Sequence, residues 1–151
     1  MIHDMQAMPS MRALWSAGPA LARDHAAGYN CAYVAVDHVR AFDESMNLLM
    51  NGCGVGYSVE RQSISKLPEV AEELVDTDTT IVVRDSKIGW SAAFKQLISM
   101  LYAGEIPQWD VSAVRPAGAK LKTMGGRASG PAPLVDLFEF TVRVFKGAAG
   151  R

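Results

Sequence analysis

The segment from Tyr29 to Arg61 constrains the fold more than any other part of the chain. It sets two strand-like stretches on either side of one helical pattern, with short links. YNCAYVAV, Tyr29 to Val36, reads as a strand: Tyr29, Cys31, Tyr33 and Ala35 share one face, and Asn30, Ala32, Val34 and Val36 the other. Phe42, Met46 and Leu49 then recur at helical spacing within a predicted helix from about Val39 to Met50. Asp37 is the expected N-cap of that helix, and Asn51-Gly52 is its stop. A tight glycine turn, Gly52-Cys53-Gly54-Val55-Gly56, leads into a second strand from Val55 to about Arg61. Strand, helix and strand with short links require parallel strands joined by a crossover, so the chain is predicted to be α/β.

The flanks are simpler. Met1 to Ser16 is expected to be a loop with a short helical turn, and Pro19 opens a helix reaching Asp24, which Gly28 ends. Glu60 to Asp85 holds seven acids and three bases; Pro68 to Thr80 within it reads as solvated, and Thr80 to Val83 as a short strand. Ser86 caps a long helix to Tyr102, with Trp90, Phe94, Leu97, Ile98 and Leu101 on one stripe and Gly104 after it. A last helix from about Ala132 to Lys146 carries Leu134, Leu137, Phe138, Thr141 and Phe145 on its stripe.

Composition excludes several classes of function. The 151 residues are 49% hydrophobic and 21% charged, which suits one folded domain with a real core. The net charge of −1 argues against a nucleic-acid coat or a polybasic membrane binder. No apolar run approaches the roughly 18 residues of a membrane span, and Asp4 early in the chain argues against a secretory signal. Two cysteines do not make a disulfide scaffold, and a reducing cytoplasm is the expected setting.

Few residues carry chemistry on their own. Cys31 sits mid-strand, where a thiol is either held at a fixed point of a cavity for redox work or packed as a small hydrophobe. Cys53 reads as a packed or partly exposed turn thiol. The glycine turn either lets a ligand approach the backbone or is a plain turn; it has neither dinucleotide-loop nor P-loop spacing. The stretch GGRASGP precedes a helix, so Arg127 with Lys120 and Lys122 forms either a phosphate site or a flexible loop. His3, His25 and His38 are scattered without metal-ligand spacing, so no metal site is expected. Asp43 and Glu44 are neighbours in one helix and are expected to be solvated.

Longer runs carry a resemblance. MPSMRALWSAG (Met8 to Gly18), AGYNCAYVAVD (Ala27 to Asp37), RAFDESMNLLMNGCGVGYSVERQ (Arg40 to Gln62), DSKIGW (Asp85 to Trp90) and VRPAGAKLKTMGGRASGP (Val114 to Pro131) resemble the adenosylcobalamin-dependent, class II ribonucleotide reductases. The monomeric ribonucleoside-triphosphate reductases are the nearest likeness, and it covers nearly the whole chain. The resemblance implies an α/β barrel of two half-barrels around a finger loop. There a cysteine becomes a thiyl radical through homolysis of the cobalamin carbon–cobalt bond and takes the ribose 3′ hydrogen. Two further cysteines reduce the 2′ position and close to a disulfide, which thioredoxin or a similar dithiol reopens.

Carried over by that resemblance, Cys31 is the first of the reducing pair. Ser10, Asn30 and Gly54 match positions that line the substrate, a ribonucleoside triphosphate. Residues 61–120 correspond approximately to an insertion that binds a deoxynucleotide effector, with Asp37 as an effector contact. Cys53 stands where relatives commonly have threonine and receives no role. The finger cysteine with its neighbouring Asn and Glu, the second reducing cysteine and the tail cysteines have no counterpart here. The expectation is a partial reductase barrel, residues 1–151, that supplies one reducing thiol and part of the substrate and effector sites. It is expected to be inactive alone; adenosylcobalamin belongs to the complete enzyme, and a complementing reductase fragment is one partner the resemblance allows. The alternatives are a non-catalytic nucleotide-binding remnant or one half of a split enzyme.

Overall fold

A computed structural model of the protein describes residues 3–121 and 126–151. The chain starts with two short helices. In α1 (Met11–Ser16) the Ser10 hydroxyl accepts the Ala13 N–H, so a capped helix stands where a single turn within a loop was expected. In α2 (Pro19–Arg23) Pro19 occupies the first turn, where its missing N–H costs nothing. A 3-10 turn over His25–Gly28, capped by Asp24, separates α2 from the first strand.

The central unit is as the pattern requires. Strand β1 (Cys31–Ala35) and strand β2 (Gly54–Ser58) run parallel, joined by helix α3 (Arg40–Met50). Both strands are shorter than predicted. The second ends at Ser58 because α4 (Arg61–Ile64) turns the chain away. Asp37 does not cap α3. Val39 holds the N-cap position without a side-chain bond, and the Arg40 N–H donates to the His38 ring instead. Asp37 is too far before the first turn to reach its free N–H groups, and it pairs with Lys66 at 3.4 Å.

The second half forms the packed core. Strand β3 (Val75–Val82), helix α5 (Lys87–Tyr102) and strand β4 (Glu105–Asp110) make another parallel crossover unit, and helix α6 (Ala132–Gly147) packs on it. The solvated stretch was therefore predicted too long: Val75 to Thr79 belong to β3. The unbroken polar run from Asp76 to Thr80 is tolerated there because most of that strand is exposed. Strand β4 was not predicted at all, since Pro107 interrupts its run. The ladder shows the consequence. Asp76 is opposite Ile106, and the next pairing is Thr80 with Gln108, so β3 bulges where Pro107 offers no N–H.

Ile81, Val83, Leu97, Leu101, Leu134 and Phe138 are almost completely buried between these elements. The Phe138 ring stacks on Phe94 at 6.2 Å and meets Trp109 edge-on at 5.6 Å. The stripes predicted for the two long helices are the ones that pack, with Trp90 and Leu137 at their margins. On α3, Phe42 and Met46 touch the core, but Leu49 is exposed at 56% and lies outside any buried stripe.

Candidate functional site

The β1–β2 pair is covered on one side only. Cys31 lies opposite Gly54, and Tyr33 opposite Gly56, all four exposed on the same face. On the other face Val36 and Tyr57 look toward α3 across an apolar groove of about 710 Å³, lined also by Phe42, Met46, Leu49 and Phe94. The position-two period of a strand thus puts Cys31 on the open side, away from helix cover. Neither cysteine is paired. Cys53 is buried, and its thiol donates to the Tyr29 carbonyl at 3.2 Å and the Ala26 carbonyl at 3.5 Å. It is a packed turn thiol, as its glycine-turn setting suggested.

Beside Cys31 the structure brings two of the four other predicted positions, Asn30 and Gly54. Asn30 precedes it, and the Asn30 carbonyl accepts the Gly54 N–H at 2.8 Å. A Cβ added at Gly54 would meet that carbonyl at 3.8 Å, an ordinary contact. The chain itself therefore does not demand glycine there, and the bare backbone is left facing the open side. Ser10 is placed at the start of α1, where its hydroxyl oxygen caps the helix by accepting the Ala13 N–H.

The residue that ties the cluster together is Arg12, which the sequence reading did not single out. Its Nε donates to Asn30 Oδ1 at 3.1 Å, and its Nη2 donates to the Gly52 carbonyl. The guanidinium also lies 6.0 Å from the centre of the Trp15 ring. The only available signal was a lone cation inside a short apolar helix next to Pro9-Ser10.

Asp37 is not part of this cluster. It lies six residue steps beyond Cys31, roughly 20 Å at strand rise. It sits at the far end of β1, beside Lys66.

A second polar network joins the two halves. Lys87, at the start of α5, donates to Oδ1 of the buried Asn51 and lies 3.6 Å from Asp24. Asn51 in turn donates to the Asn47 carbonyl at 3.0 Å. Three other residues of DSKIGW also have structural roles. Asp85 accepts from Arg115 at 2.7 Å, and Ser86 caps α5 through the Gly89 N–H at 2.9 Å. A Cβ at Gly89 would come within 2.5 Å of the Arg84 carbonyl, so only glycine fits.

Other candidates have different surroundings from those expected. Asp43 is buried rather than solvated, because α3 turns it toward α5. Burial pushes its pKa up, opposed by Arg40 and Lys95, and Oδ1 has no partner among the described residues. Arg127 donates to the Gly118 carbonyl at 2.9 Å and so closes its own loop, while Lys122 lies outside the described residues. Among the described residues no three His, Cys, Asp or Glu side chains group to hold a metal, and no helix is long and apolar enough to cross a membrane.

Comparison with known proteins agrees with this architecture. Residues 57–145 match the family described as B12-dependent ribonucleotide reductase, insertion domain. The adenosylcobalamin-dependent ribonucleoside-triphosphate reductase of Euglena gracilis is 31% identical across 99% of this chain and 22% of its own length. The enzyme of the same name from Lactobacillus leichmannii is 28% identical across 99% of this chain and 28% of its own. A crystal structure of a B12-dependent, class II ribonucleotide reductase superposes with a TM-score of 0.82 at 27% identity, covering 99% of this chain and 29% of that one. The chain thus spans under a third of the length of these relatives, and within that span its fold is the reductase fold. It belongs to the B12-dependent ribonucleotide reductases.

Proposed function

We propose that this chain is the part of a ribonucleoside-triphosphate reductase that supplies one of two reducing thiols and part of the nucleotide site. The carrying observation is the contrast between its cysteines. Cys31 is exposed on the open face of a parallel strand pair, beside Asn30 and across from Gly54, whereas Cys53 is buried and hydrogen-bonded. In the reaction, Cys31 and a second thiol from outside this chain give up two electrons and two protons. They close to a disulfide, the ribose 2′ carbon gains hydrogen, and the 2′ hydroxyl leaves as water. A dithiol such as thioredoxin then reopens the disulfide. Ser10, Asn30 and Gly54 line the substrate.

Residues 61–120 form approximately the inserted region that takes a deoxynucleotide effector, with Asp37 at its border. The family match over 57–145 and the Lys87–Asn51 link to the glycine turn support this reading. The setting is the cytoplasm.

Adenosylcobalamin serves the complete enzyme, where it supplies radical initiation. The described residues do not form its pocket beside Cys31. The large apolar groove lies on the opposite face of the β1–β2 pair, under α3. The docking surface for the cofactor is therefore assigned to complementing segments, which also cover the open face that exposes Tyr33 at 70%.

The test places this chain in the corresponding stretch of the Euglena gracilis relative. The chimera is assayed for deoxynucleotide with ribonucleoside triphosphate, adenosylcobalamin and a dithiol. Cys31→Ser abolishes turnover and Cys53→Ser retains it. Sustained turnover by the Cys31→Ser chimera refutes the assignment. The 151-residue chain alone forms no product.

A further inference from the structure

We propose that Arg12 is a positioning residue that holds the Asn30 amide so that Asn30 acts as a hydrogen-bond donor toward an oxygen of the ligand. This rests on the reading of the open face as a nucleotide site. An asparagine side chain has one acceptor oxygen and two N–H donors, and a guanidinium has donors only. Arg12 Nε at 3.1 Å from Oδ1 therefore decides which end of the amide points inward. The Nδ2 group is left to the ligand, and among the described residues nothing accepts from it.

The guanidinium is itself held by two further contacts. Nη2 is bonded to the Gly52 carbonyl, the Trp15 ring lies 6.0 Å from it, and the Arg12 carbonyl accepts from the Ser16 hydroxyl at 2.7 Å, which steadies its helix. Gly52 has φ +81°, and a Cβ there would meet Arg12 Nη1 at 2.9 Å. The turn thus leaves room for the fork of an arginine and for nothing larger beside it. Lysine keeps the charge but is a single point donor, so it cannot bridge Asn30 and Gly52 together.

The chemistry selected is an acceptor oxygen within reach of the Asn30 amide, one residue before Cys31 in the chain. A ribose hydroxyl and a phosphate both offer one, and three probes separate them: a ribonucleoside, its triphosphate, and inorganic triphosphate. Each is titrated into the full chain while the Asn30 side-chain amide is followed by proton–nitrogen NMR.

In the unmodified protein the Asn30 Nδ2 signals move on nucleotide binding. Movement with the nucleoside assigns the contact to ribose, and movement with inorganic triphosphate assigns it to phosphate. Asn30→Asp keeps the Arg12 pair but removes both donors, and it weakens binding about tenfold or more. Arg12→Lys weakens binding about tenfold and shifts the Asn30 amide in the free protein, while far-ultraviolet dichroism stays unchanged. A merely structural arginine would leave that amide signal alone once the fold is intact. Tight nucleotide binding with unmoved Asn30 signals, or full affinity in Asn30→Asp, overturns the proposal and leaves the nucleotide site standing. Failure of all three probes to bind the unmodified chain refutes the site and the proposal together.

Discussion

The two halves of the molecule hold themselves together differently. Around β3, α5, β4 and α6, apolar side chains interlock from all sides, with Leu97, Leu101 and Phe138 wholly shielded. Around β1 and β2, one face rests on α3 across an open groove and the other faces outward with Cys31, Tyr33 and Gly54. The first half adds polar links between distant segments: Arg12 to Asn30 and Gly52, and Lys87 to Asn51. The difference shows where stability and chemistry reside. The second half supplies the buried area. The strand pair is left with an exposed face that carries Cys31, while α3 covers its other face.

Three substitutions probe this contrast. The largest effect is expected from Phe138→Ala, which empties the contact between Phe94 and Trp109. It should cost about 3–5 kcal/mol in urea unfolding. A loss below about 1 kcal/mol would mean that the second half is not the stabilising one.

An intermediate effect belongs to Asp43, at the joint between α3 and α5. Burial raises its pKa, with Arg40 and Lys95 opposing, so the native state holds that proton more tightly than the unfolded chain. The stabilising contribution is complete below the ordinary carboxylate value of about 4 and is lost as pH rises through the raised value. Asp43→Asn should flatten that slope and add about 1 kcal/mol at neutral pH. An unchanged pH profile from thermal melts would show that the carboxylate is solvated after all.

The smallest effect is expected from Tyr33→Ala on the open face. Its side chain touches little, so stability should stay within about 0.5 kcal/mol of the parent. A larger loss would mean that the open face is closed in solution.

Much of the architecture was legible because it depends on local periodicity. The α5 and α6 stripes, the Ser86 cap, the Gly104 stop and the parallel β1–β2 crossover all follow from spacing along the chain. The failures share a cause. Strand β4 was hidden by Pro107, whose cost is absorbed by a bulge in its partner. Most of β3 was hidden by Asp76 and Asp78, which are tolerated because that part of the strand is exposed. Asp43 was misread as solvated because its burial depends on α5, more than forty residues away in sequence. For the site, Cys31, Asn30 and Gly54 were named from the strand and its motif, and they do adjoin. Arg12 was missed because its partners are 18 and 40 residues away.

The sequence by itself determined the parallel β1–β2 crossover, the two long helices with their stripes, and the alternation that sets Cys31 with Tyr33. Each of these depends on residues within one or two turns or strand steps of one another. Only the tertiary structure decided that Cys53 is sealed by two carbonyls, that Asp37 is remote from Cys31, and that Arg12 reaches Asn30. Hydrogen bonds between distant segments depend on where whole elements pack, and local pattern carries no record of that.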